Sequence, residues 1–140
     1  SPFYRDIQKI TAVRASHAPL RYGRFYFRPV SGDGQTFGVS PFPLGVLAFS
    51  RILNDEETIV VANTNTGQSQ SLDVILESQL SQAGDTYRVL YSNKSNPTPP
   101  SQVKQTGQVT VHETDGSIGN GPLHVLHVTL QPLEVQILGR

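Results

Sequence analysis

Eight short runs of apolar and β-branched residues, each ended by Gly, Pro, Asn, Asp or a polar turn, constrain this chain more than any other feature. They occupy Tyr22–Arg28, Val46–Leu53, Thr58–Asn63, Ser71–Leu76, Thr86–Tyr91, Gln108–His112, Leu123–Leu130 and Leu133–Leu138. Runs of roughly four to eight residues have strand length, whereas a helix that buries one face needs about ten or more. Twelve glycines and ten prolines supply the punctuation. Eight such strands within 140 residues predict one all-β domain, an antiparallel sandwich with Greek-key connections. Asn54–Glu57 is a four-residue polar connection that suits a hairpin. Residues 29–43 read as a long surface loop with a turn at Asp33-Gly34. Residues 92–104, rich in proline and polar residues, predict a mobile loop that pairs with no strand. In the last two runs Leu126, Val128, Leu130, Leu133, Val135 and Ile137 are expected to face inward, and His127, Thr129, Glu134 and Gln136 to face water.

The first segment has a different period. Phe3, Ile7, Ile10 and Val13 recur at the spacing of one helical face. Ser1 is placed to cap that helix, Pro2 fits its first turn, and Pro19 disfavours helical geometry at Ala18. The chain therefore divides into a helical segment, 1–19, and a β-sandwich, 20–140. Beginning at Ser1-Pro2 with no methionine anywhere, it reads as a piece of a longer protein.

Charge narrows the partners. Eleven basic and eleven acidic residues cancel, so no global field draws the chain to nucleic acid or to an anionic membrane. No apolar run reaches the roughly 20 residues that span a bilayer. There is no cysteine, hence no disulfide, thiolate metal site or cysteine nucleophile.

Cleavage of a glycosidic bond needs two carboxylates about 5 to 9.5 Å apart in a cleft. The acidic residues read otherwise: Asp33 and Asp115 precede glycines in turns, Asp55, Glu56 and Glu57 form one connection, and Glu134 lies on a polar strand face. His112, Glu113 and Asp115 are metal-ligand types, but neighbours on a strand point to opposite sides, and so do His124 and His127. No metal or cofactor is implied. Nothing marks a nucleophile elbow, and Ser31-Gly32-Asp33-Gly34 lacks the ending of a phosphate loop. Tyr22 and Tyr26 share one face of their run and could stack on a sugar ring, while Phe25 and Phe27 on the other face are expected in the core.

Ile7-Gln8-Lys9-Ile10-Thr11-Ala12-Val13-Arg14, followed by Ala18-Pro19-Leu20-Arg21-Tyr22-Gly23-Arg24, resembles the end of the catalytic barrel in the alpha-amylase family of glycoside hydrolases. Gly45-Val46-Leu47-Ala48-Phe49-Ser50-Arg51 and Thr58-Ile59-Val60-Val61-Ala62-Asn63-Thr64-Asn65 are similar to the C-terminal β domain that follows that barrel, and Val125–Leu138 to its last hairpin. The resemblance implies a non-catalytic domain that covers and stabilises the (β/α)₈ barrel of its own parent chain. None of the family's catalytic motifs occurs here, so no catalytic residue is carried over. Phe3, Ile7, Ile10 and Val13 would pack between barrel and sandwich; in the isolated chain they would fold back on the sandwich or pair with a second copy. Two other readings stand beside it: an ancillary module that holds α-glucan on Tyr22 and Tyr26, and a free-standing β interaction domain.

Overall fold

The computed structural model describes residues 8–12, 24–39, 42–113 and 115–140, with 24, 25, 42 and 43 described by their backbone alone. Two sheets form a sandwich. The first has five strands in the order β1 (Arg24–Phe27), β4 (Val46–Leu53), β5 (Glu56–Asn63), β12 (Val135–Gly139) and β7 (Arg88–Ser92), all antiparallel. The second has seven, in the order β10 (Ile118–Gly121), β9 (Val109–His112), β3 (Thr36–Gly38), β2 (Val30–Ser31), β6 (Gln70–Ile75), β11 (His124–Leu130) and β8 (Lys104–Gln105). Its β3–β9 pairing is parallel. Residues 8–12 form a short helix, α1, and Phe42–Gly45 a single turn, α2. No helix among the described residues is long and apolar enough to cross a membrane. The boundary expected near residue 19 lies outside the described residues.

The sheets meet over one main core. Val46, Ala48, Ile59, Val61 and Leu138 enter it from the first sheet, and Val30, Leu72, Val74, Leu126, Val128 and Leu130 from the second. Strand pleating then sends Ile75 and Val125, neighbours of Val74 and Leu126, to the far side of the second sheet. There they join Phe37, Val109 and Val111 in a smaller apolar cluster. The seven-stranded sheet thus curls over its own outer face, and the two-residue strand β2 lies between its flanks.

Among the described residues twelve strands replace the eight expected; the four additional ones, β2, β3, β8 and β10, are only two to four residues long. Segment 29–43 is not a free loop. It carries β2 and β3, and its Val30 and Phe37 are fully buried. The expected turn does occur at Asp33-Gly34, where Gly34 has φ 76°. Segment 92–104 is tied down as well. The Ser101 amide donates to the His127 carbonyl at 3.0 Å, the Val103 amide to the Asp85 carbonyl at 2.9 Å, and Val103 is buried beneath it. Prolines leave fewer amides to satisfy, so a few well-placed bonds suffice to seat the segment.

Strand β12 inverts its expected facing. Leu138 and Gln136 point into the sandwich, whereas Val135 and Ile137 stand on its outer surface opposite Ala62 and Val60. Polar burial is stable there because all but one of the buried side-chain atoms of Glu134 and Gln136 are bonded, Gln136 Oε1 alone lacking a partner among the described residues. Gln136 Nε2 donates to Glu134 Oε2 at 3.0 Å and to the Thr98 carbonyl at 3.3 Å. Glu134, also fully buried, accepts from the Gln131 amide at 2.8 Å and the Ser92 hydroxyl at 2.6 Å. Glu134 is therefore a buried cap and not part of a polar strand face. Glu57 is likewise not in a surface connection: the turn is only Asn54-Asp55, and Glu57 is 1% exposed within β5.

Candidate functional site

The outer face of the five-stranded sheet carries two apolar cross-strand rows, bordered by the Arg51–Thr58 pair. Register places Phe27, Phe49, Val60, Ile137 and Tyr91 in one cross-strand row, with Leu47, Ala62 and Val135 in the next. An antiparallel sheet that faced water on this side would show polar residues at these positions. Phe27, expected in the core, instead exposes 48% of its surface here. Helix α1 lies at the β7 end, where Lys9 and Ala12 share a depression with Leu90, Tyr91 and Pro97.

Of the expected packing stripe, Ile10 is 41% exposed, while Phe3, Ile7 and Val13 lie outside the described residues. So does Tyr22 of the tyrosine pair. Tyr26, also 41% exposed, has the Arg28 guanidinium carbon 5.6 Å from its ring centroid. That guanidinium in turn donates to Ser50 Oγ at 2.8 Å and to Glu57 Oε2 at 3.0 Å. The cation covers one face of the ring, which leaves the other for stacking.

The second feature is a polar cleft of about 450 Å³ on the outer face of the seven-stranded sheet. Strand order brings Ser31, Asp73 and His127 side by side on β2, β6 and β11, and β8 adds Lys104 at the edge. His127 Nδ1 lies 2.7 Å from Asp73 Oδ1, and Lys104 Nζ is 3.7 Å from Asp73 Oδ2. The Asp73 side chain is only 8% exposed. Asp33 caps the turn above it: Oδ1 accepts from the Thr36 amide, the Gln35 amide and the Ser31 hydroxyl. These bonds, the Thr36 amide foremost, hold the Asp33 carboxyl below the usual carboxylate range.

Chemically the cleft is no hydrolase triad. Asp73 stands between Ser31 and His127, so serine and imidazole are two strands apart, about 9 to 10 Å. The serine hydroxyl is already given to Asp33 at 2.9 Å. His112, Glu113 and Asp115 are exposed and form no cluster; Asp115 accepts instead from the Ser117 hydroxyl at 2.6 Å and the Ser117 amide at 2.9 Å. Among the described residues no group of three or more His, Cys, Asp or Glu could hold a metal ion. The grouping of Asp73, Lys104 and His127 left little trace in the sequence. Its one local sign is a carboxylate between the core residues Leu72 and Val74.

A solved structure shares this fold. It is a debranching enzyme from Nostoc punctiforme, to which the chain is similar with a TM-score of 0.53 at 20% sequence identity. The likeness covers 94% of this chain and 20% of that one, so the chain spans a fifth of the length of the enzyme it resembles. No protein-family profile and no curated protein matches the chain.

Proposed function

We propose that this chain is the C-terminal β domain of an alpha-amylase-family glycoside hydrolase, non-catalytic itself and serving to cover and stabilise the catalytic barrel. The observation that carries the reading is the outer face of the five-stranded sheet, where Phe27 is 48% exposed and Leu47, Phe49, Val60, Ala62 and Val135 are half-buried beside the buried Tyr91 and Ile137. Burying it is favourable by about 25 cal/mol per Å². The fold likeness to a fifth of a debranching enzyme supports the reading, as does the sequence resemblance of residues 7–24 to a final barrel helix. On this account residues 1–19 belong to the barrel and 20–140 form the domain. The partner is the parent barrel, and the parent acts on α-glucan.

The test begins with the coding sequence on the 5′ side of Ser1, which should continue into a (β/α)₈ barrel. Co-produced with residues 1–140, that barrel should be soluble and active on α-glucan; with Val60→Asp in the sheet face, it should precipitate or melt at lower temperature. A start codon immediately upstream of Ser1, or hydrolysis of α-glucan by these 140 residues alone, would overturn the reading.

A further inference from the structure

The cleft on the seven-stranded sheet has no part in covering a barrel through the other sheet, and its open atoms select a ligand class. Asp73 Oδ2 has no hydrogen-bond partner among the described residues: Lys104 Nζ lies 3.7 Å away, beyond the usual range of about 2.7 to 3.2 Å. Asp33 Oδ2 has no hydrogen-bond partner among the described residues, its sister oxygen taking all three bonds. Gln105 is exposed at the rim, and its amide both donates and accepts. The Lys104 side chain is 58% exposed and can swing to meet a ligand.

An anion would meet two carboxylates against one ammonium. An organic cation would find Lys104 already in place and no Phe, Tyr or Trp face to rest on, His127 being the one ring in the lining. A hydrocarbon would desolvate buried polar groups without replacing their bonds. A divalent cation would find two carboxylates, with the Lys104 ammonium against one of them. A neutral ligand whose groups donate and accept at once fits what remains: its hydroxyls can give protons to both free carboxylate oxygens and take them from Lys104 and Gln105. The cleft volume, about 450 Å³, lies in the range of small-molecule sites and admits a ligand of sugar-ring size.

We infer that this cleft binds a polyhydroxylated ligand, a sugar ring or short oligosaccharide end, through Asp73, Asp33, Lys104 and Gln105. The site is separate from Tyr26, which stands on the other sheet. With no Phe, Tyr or Trp platform the affinity is modest, and recognition rests on the carboxylate-to-diol bonds.

Titration of the ¹⁵N-labelled chain with maltose, followed by amide correlation spectra, tests this. Saturable shifts are expected at residues 31–36, 73, 104–107 and 127. Lys104→Ala and Gln105→Ala change exposed side chains outside the core, so the fold should survive, and each should weaken binding about ten-fold. Asp73→Asn should abolish it. Three results would overturn the inference: no shift at these amides up to the solubility of maltose, binding unaltered in both rim variants, or the same shifts produced by calcium chloride and not by maltose. None of the three bears on whether the other sheet covers a barrel.

Discussion

Glu57 shows how much a single side chain commits in this fold. Its carboxylate has no exposed surface, and Arg28, itself only 14% exposed, holds it at 3.0 Å while the Glu77 amide donates to the other oxygen at 3.1 Å. Removing one member of such a pair leaves a buried charge uncompensated, so Glu57→Ala should cost about 3 to 5 kcal/mol in urea denaturation. A loss within 1 kcal/mol of zero would show instead that water reaches Arg28 and replaces the bond, as at exposed pairs worth about 1 kcal/mol or less. Tyr87 is the second such residue. Burial is the main cause that pushes its hydroxyl up to about 12, against a hydrogen bond with Ser81 Oγ at 2.6 Å that pulls the other way. The unfolded chain releases this proton near pH 10 and the native chain near 12, so between those values the unfolded state binds fewer protons and stability falls as pH rises. Absorbance of phenolate should show one tyrosine titrating late in the native protein. Tyr87→Phe should abolish that late step and cost about 1 kcal/mol at neutral pH.

Among elements, the seating of segment 92–104 has the clearest consequence. Its hydrogen bonds reach β11 and the turn at residues 84–85, and Val103 is its apolar anchor, 2% exposed in the main core. Val103→Ala deletes two buried methyl groups, a loss of about 2 kcal/mol. The effect should concentrate locally. Limited proteolysis should spare residues 92–104 in the native chain and cut there readily in the variant, whereas equal resistance in both would mean that the backbone bonds alone seat the segment. Strand β12 carries a different lesson. Leu133, with φ 57°, turns the chain after Pro132 so that β12 enters with Gln136 inward. The apolar residues are thereby left outside, and that inversion, more than any single residue, builds the face on which the proposed covering role depends.

For the molecule as a whole, the pairings that close both sheets join distant parts of the chain. Strand β5 pairs with β12, β6 with β11, and β3 with β9. Loop closure must precede each gain, so refolding should take milliseconds to seconds. Stopped-flow refolding from urea measures this directly, and microsecond folding would show that local hairpins such as β4–β5 carry most of the stability. The two outer faces also divide the molecule's business. One carries two apolar cross-strand rows, the face that the proposed barrel would cover; the other curls around a small apolar cluster and holds the polar cleft of the proposed sugar site.

Much of this was written locally. Turn punctuation and strand-length runs determined the all-β class, and Val46–Leu53 became β4 residue for residue because a largely apolar run of strand length ending at Asn54, with φ 55°, has few alternatives. What local pattern could not determine was facing and neighbourhood. Alternation at Leu133–Leu138 names two faces without saying which is inside. That was decided by the partners Glu134 and Gln136 find on Ser92, Gln131 and Thr98, which make polar burial possible. The short strands β2, β3, β8 and β10 exist only because neighbouring strands of the assembled sheet offer them ladder bonds. Asp73, Lys104 and His127 became one cleft because β6, β11 and β8 lie side by side, and strand order is a property of the assembled sheet that no stretch of sequence contains.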